Sequence, residues 1–133
     1  MDKDKQPGIK IDAILLVESF FKRTPNVSLP IPLNIKFSIN NTIDKEKKQL
    51  VTEMKVMLNS EKDSVYAYVV YVGIFSTADD ENMSLEDFAE KIAPAHIYPY
   101  IREEIHIRSI KAGLPPIIIQ PLNFMAKSVK KQN

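Results

Sequence analysis

Cysteine is absent from this 133-residue chain, which excludes a disulfide framework and any thiolate metal site and suits a reducing compartment. Glycine occurs only three times, too sparsely to write a phosphate-cradling loop. No apolar run reaches the ~20 residues that a membrane-spanning helix needs. Neither sign of charge prevails: 18 basic and 17 acidic residues leave a net charge of +1, so nothing global steers the molecule to nucleic acid or an acidic surface. The opening MDKDKQPG has neither the cationic nor the apolar region of a signal peptide, and a soluble, cytoplasmic protein is expected. What remains is 44% hydrophobic and 26% charged, enough for one core and one soluble surface in a single domain over 1–133. Residues 1–8 read as a flexible start. Residues 125–133 read as a partly frayed tail whose Lys127, Lys130 and Lys131 suit the negative end of a helix dipole.

Catalytic chemistry finds little to stand on. The two histidines, His96 and His106, are ten residues apart, about three helical turns and some 15 Å, so they cannot share a metal. Glu103 and His106 have the Glu-x-x-His spacing of carboxylate-bridged di-iron proteins, but that chemistry needs a second copy and further glutamates, which are missing. Arg102, Glu103, Glu104 and Arg108 instead read as a solvated helix face of mixed-sign pairs. With no GxSxG elbow, no catalytic residue, metal or cofactor is expected.

The first half of the chain alternates with a period of two. Residues 9–22 read as a long strand, with Ile9, Ile11, Leu15, Val17 and Phe21 on one face and Ile14, Leu16 and Phe20 on the other. TPNVSLPIP (24–32) has three prolines and reads as a stiff, apolar connection. Further strands follow at 33–43, 50–58 and 65–76, with turns at 41–48 and 59–63; together they suggest an antiparallel meander or a close relative. Beyond an acidic loop at 77–82, Ser84 and Asp87 open a short helix that buries Leu85, Phe88, Ala89 and Ile92. A long helix comes next, with Ile97, Ile101, Ile105 and Ala112 on one face and Tyr98 and Ile110 widening it. It is expected to start at or just before Pro99, and Gly113 followed by Pro115 and Pro116 stops it. LPPIIIQP (114–121) is an apolar passage that something must cover, and 122–131 reads as a last helix. Strands first and helices after imply an α+β fold with the helices on one face of the sheet. The apolar second face then calls for self-association.

The second half also carries a resemblance. Gly73-Ile74-Phe75-Ser76, Tyr98-Pro99-Tyr100, Arg102-Glu103, Gly113, Leu114-Pro115 and Pro121-Leu122-Asn123-Phe124 resemble the SecB protein-export chaperones over residues 73–124; the first seventy residues agree in strand layout. The resemblance implies a SecB-like α+β fold: a four-stranded antiparallel sheet with a long helix and a C-terminal helix on one face. It implies an ATP-independent holdase for unfolded or pre-secretory polypeptide, and a homotetramer built as a dimer of dimers with the long helix near the interface. Family members present carboxylates near the end of strand one and on strand four to dock SecA. Here Ser19, Arg23 and Tyr68 stand at those positions, so the docking carboxylates are not retained, and Glu18, one residue along, points to the opposite face.

Three readings of function therefore stand side by side: a holdase, a subunit dedicated to one partner such as an antitoxin, and an enzyme or small-ligand binder on the same fold. For the first, the expected client groove comprises Val27, Leu29, Ile31, Tyr66, Tyr68, Ile117, Ile119, Leu122 and Phe124, and the oligomer interface Phe20, Ile101 and Ile105. A long apolar groove holds extended chains without reading their sequence, because burial is unspecific and backbone edges offer hydrogen bonds to any residue.

Overall fold

The computed structural model describes residues 8–78 and 84–120. Strand β1 (Ile9–Arg23) is followed by β2 (Leu33–Asp44), β3 (Gln49–Ser60) and β4 (Val65–Thr77), then helix α1 (Leu85–Lys91) and helix α2 (Ala93–Lys111). The four strands form one antiparallel sheet in the order β1-β4-β3-β2. Three of them are a meander, as the short polar turns require; the proline-rich 24–32 connection carries the chain from β1, at one edge, to β2 at the other. Within it the Leu29–Pro30 peptide is cis.

Period-two patterning sorts the middle strands as the sequence predicts. Leu50, Thr52, Met54, Val56 and Leu58 of β3 are buried against Phe75, Val69 and Ala67 of β4, and the helices lie on that face. Gly73 is needed there: a Cβ on it would come within 2.9 Å of Ile97 Cδ1 on α2. Strand β1 departs from simple alternation. Bulges at Asp12 and Val17 shift its register, so that Ile9, Ile11, Ile14, Leu16, Ser19, Phe21 and Arg23 pair with residues of the helix-side face. Leu15 and Phe20 lie on the open face instead. The expected grouping of Leu15 with Ile9 and Phe21, and of Ile14 and Leu16 with Phe20, is corrected by these two inserted residues.

Helix α1 begins as expected, the Ser84 hydroxyl accepting the Asp87 N–H at 3.1 Å. Helix α2 does not wait for Pro99. It starts at Ala93, with Pro94 in its first turn, and runs through Pro99. Forgoing one backbone hydrogen bond is outweighed by burying Ala93, Pro94, Ile97 and Tyr98, which the first turns bring to the sheet. Its buried stripe continues through Ile101 and Ile105 to Ser109, and Ile110, expected at the margin of that stripe, is exposed. The stop is as predicted: Gly113 has φ 74°, with Leu114 N–H donating to Ser109 O and Gly113 N–H to Ile110 O, both at 3.0 Å. Arg23 donates to Ala112 O at 2.8 Å, placing a cation on the negative end of α2.

Glu104 clamps α2 to β1. Its carboxylate accepts from Ser19 Oγ at 2.6 Å and from Arg108 Nε at 3.1 Å. Burial pushes its pKa up, but the Ser19 and Arg108 hydrogen bonds and the charges of Arg108 and Lys111 outweigh it and hold the group below its ordinary 4.5. A depressed folded-state pKa adds stability that is present above the unfolded value and lost as pH falls through the folded one. Wild type therefore exceeds Glu104→Gln in unfolding free energy at neutral pH, and the gap closes as the medium is acidified below 4.5. Parallel urea titrations from pH 7 downward measure this, and a gap constant with pH would refute the clamp.

Candidate functional site

The apolar passage after α2 is strapped back along the helix. Three side chains on one stripe of α2 hold its backbone: Ser109 Oγ accepts Ile117 N–H at 2.9 Å, Arg102 Nε donates to Ile119 O at 3.0 Å, and Tyr98 Oη donates to Gln120 O at 2.7 Å. Ser109 is fully buried and also donates to His106 O, so its hydroxyl satisfies the buried Ile117 amide and orients it. Burial raises the Tyr98 pKa, an effect that the Arg102 charge partly offsets, keeping the phenol protonated as a donor. Ser109→Ala leaves the Ile117 amide without this acceptor and should cost about 1–3 kcal/mol. Faster amide exchange at Ile117, together with a lower urea midpoint, is the expected signature.

So anchored, the strap turns Ile117 and Ile119 inward and leaves Ile118 69% exposed. Beside it lies a furrow of about 410 Å³. Leu29, Pro30 and Ile31 of the connection form one wall, Pro115 to Ile118 the other, with Leu33 and Ile35 of β2 along it. Leu29 is 60% exposed, and no charged side chain lines the space. A smaller cleft of about 250 Å³ lies on the strap's other side, against Pro99, Arg102, Glu103 and His106. Among the described residues no group of three or more histidines, cysteines or carboxylates could hold a metal, and no helix is long and apolar enough to cross a membrane.

The sequence-predicted groove is thus divided by the sheet. Leu29, Ile31 and Ile117 line the furrow; Val27 packs half-buried against the core, and Ile119 is buried and borders the smaller cleft. Tyr66 and Tyr68 do not join them. They project from the open face, in register with Asn59 and Met57, and form an aromatic cluster with Phe20, whose ring stacks on Tyr68 at 5.5 Å. Leu122, Phe124 and the expected last helix lie outside the described residues. Of the expected interface residues, Phe20 is exposed on the open face, but Ile101 and Ile105 are 0% exposed inside the subunit's own core. That corrects their assignment, since a side chain fully buried in its own subunit has no surface to offer another. Ile107 and Tyr100 are the exposed apolar residues of the middle of α2. Reading positions from hydrophobicity alone also missed Leu33, Ile35 and Pro30 as furrow walls. Proline bracketing was the available signal for the last of these.

The positions where the resemblance places docking carboxylates are engaged within the chain: Ser19 with Glu104, Arg23 with the end of α2, and Tyr68 Oη donating to Glu18 Oε2 at 2.8 Å. That bond heads the causes that raise the Tyr68 pKa. Glu18 pairs with Val70 on the open face and Ser19 with Val69 on the helix side, as their adjacency requires.

Comparisons with known proteins agree with this architecture. An uncharacterized protein of Methanocaldococcus jannaschii, MJ0357, is 28% identical over 127 residues, covering 88% of this chain and 82% of that one. Protein-export protein SecB of Nitrosomonas eutropha is 28% identical over 84% of this chain and 68% of its own length, and that of Hahella chejuensis 25% identical over 96% and 87%. Among solved structures, the Mycobacterium tuberculosis Rv1957 SecB-like chaperone, in complex with a ChAD peptide from the Rv1956 HigA1 antitoxin, superposes with a TM-score of 0.72 at 19% identity, covering 86% of this chain and 88% of that one. That likeness is one of fold. The pattern of the preprotein translocase subunit SecB family matches residues 9–132, nearly the whole chain, and the chain belongs to that family.

Proposed function

We propose that this protein is an ATP-independent chaperone that holds unfolded or pre-secretory polypeptide in the furrow between the 24–32 connection and the strap. The observation that carries the reading is a walled, charge-free furrow whose rim residues Leu29 and Ile118 stay exposed in a chain of this family. Burial of client apolar side chains at roughly 25 cal/mol per Å² is unspecific, so the clients are defined by being unfolded rather than by sequence. No step of such holding requires bond chemistry, and the reading is non-enzymatic, in keeping with the protein-export and chaperone names of its relatives. A cytoplasmic setting fits this role.

Self-association completes the proposal. Leu15, Leu16, Val17 and Phe20 on β1, the edge strand, and Tyr100 and Ile107 on α2 are exposed apolar residues. A second copy covers such a surface most economically across a two-fold axis, and two such dimers make the expected tetramer. Because the three docking positions carry no carboxylate here, client capture in this proposal does not depend on SecA. A dedicated antitoxin-type partner is the second reading, favoured by the antitoxin peptide on the fold neighbour.

Light scattering of a refolding client tests the first reading: stoichiometric protein suppresses aggregation, and unchanged scattering would remove it. Competition by unrelated unfolded chains separates the two, since a surface dedicated to one folded partner ignores them. Solution mass measured with and without client reports the assembly.

A further inference from the structure

A net charge of +1 conceals an uneven sheet. On the face turned away from the helices, strand pairing sets Lys22 of β1 against Tyr66 of β4. One row on, Tyr68 of β4 stands between Phe20 of β1 and, two strands away, Lys36 of β2. Lys55 of β3 reaches over the Tyr68 ring, its ammonium 4.7 Å from the centroid. Lys22 and Lys36 are exposed, Phe20 is 40% exposed, and Tyr66 and Tyr68 are half-buried. Three cations thus surround three rings. Glu18, in the row of Lys55, is the one acidic side chain among these rows, and its carboxylate already accepts the Tyr68 hydroxyl. Glu53 and Asp44 sit farther along the face, and Asp63, past its end, accepts from Asn59 Nδ2 at 3.1 Å. Among the described residues both helices pack on the other face.

We propose that this end of the open face binds single-stranded nucleic acid, its bases on the rings and its phosphates at Lys22, Lys36 and Lys55. The proposal goes beyond the polypeptide-holding reading and does not depend on it, because Leu33 and Ile35 open the furrow to the helix side. A four-stranded antiparallel sheet with rings on its uncovered face holds single strands by stacking, and every base has a π-face to offer. The lysines supply what the rings cannot. Lys22 and Lys36 stand on the two outer strands, three strand spacings or about 14 Å apart, with the rings between them. A phosphate backbone crossing the strands meets a cation at either side and Lys55 on the way. Charge complementarity selects this occupant over an apolar polypeptide, which gains nothing from three ammonium groups. Lys55 exchanges partners in the complex: a base takes its place on Tyr68, and the ammonium moves to a phosphate. Duplexes are disfavoured, since their bases are already stacked on one another. Only Phe20 of the three rings belongs to β1, so a second copy joined along that edge need not cover Tyr66 and Tyr68, which stand on an inner strand.

The test uses the full-length protein and a fluorescently labelled twelve-nucleotide oligouridylate, read by anisotropy between about 50 and 200 mM salt. Three phosphate contacts predict that the logarithm of the binding constant falls with that of the salt concentration at a slope near −2, about 0.7 per contact on a single strand. Lys36→Gln and Lys55→Gln should each flatten the slope by about 0.7. Tyr66→Ala weakens binding by about fivefold or more at unchanged slope, whereas Tyr66→Phe, which keeps the ring, binds within about twofold of wild type. A duplex of the same length binds several-fold more weakly than the single strand. Absence of single-strand binding at about 50 mM salt would overturn the proposal and leave the furrow reading as it stands. Equal binding of the duplex would overturn it too, as would binding that the lysine variants weaken and Tyr66→Ala does not, since either describes charge attraction without stacking. Displacement by a ten-residue glutamate peptide as effective as by unlabelled oligonucleotide would assign the face to an acidic polypeptide, against the proposal.

Discussion

Replacing Ile101 with alanine should lower the free energy of unfolding by about 2–5 kcal/mol and leave the assembly state of the folded protein unchanged. The side chain is fully buried on the stripe of α2 that runs from Ile97 to Ile105 and packs over β3 and β4. Its truncation removes buried methyl and methylene groups and leaves a void beneath a helix already short of one backbone hydrogen bond at Pro99. The surrounding sheet is held by two neighbours per strand at this point, so it cannot collapse into the gap, which argues for the upper half of the range. Chemical unfolding of the variant gives the energy and sedimentation gives the mass. A variant of nearly wild-type stability that dissociates would return Ile101 to a subunit interface and refute the packing described for α2. Ile105→Ala should behave in the same way.

The second large effect is on holding rather than folding. Changing Leu29 and Ile118 together to aspartate should reduce suppression of client aggregation at least about tenfold while moving the melting temperature little. Both side chains are mostly exposed, and surface substitutions of this kind usually change stability by within ~0.5 kcal/mol. On the client side, burying a leucine- or isoleucine-sized group is worth about 1.5–3 kcal/mol, and a carboxylate in the same place must shed its water with no cation in the furrow walls to receive it. Aggregation assays and thermal melts on the same preparation check both halves. Full holding activity in this variant would locate the client elsewhere on the molecule. The aromatic cluster of Phe20, Tyr66 and Tyr68 on the open face is the other apolar surface that could then hold it.

These two experiments bear on residues whose roles are indistinguishable by hydropathy. Isoleucine at 101, 105, 117, 118 and 119 reads alike in a one-dimensional pattern, yet the first two are core, Ile118 is rim, and Ile117 and Ile119 are turned inward by bonds to their backbone from Ser109 and Arg102. The difference lies in which backbone groups α2 captures, and those bonds join residues 8 and 17 positions apart.

Local chemistry was sufficient for much of the fold. Alternation at 33–58 set the faces of β2 and β3, the Ser84 cap opened α1, and Gly113 closed α2, because each depends on neighbours within a few residues. Family membership was likewise legible from short motifs at residues 73–124. What only the folded chain decided depends on contacts distant in sequence. Two bulges in β1 exchanged the faces of its side chains, burial of Ile97 and Tyr98 drew α2 through Pro99, and the sheet itself came between the tyrosines and the strap. Pairing register and burial are sums over partners that a linear pattern does not name, which is why the furrow became visible only when β2, the connection and the strap were brought side by side.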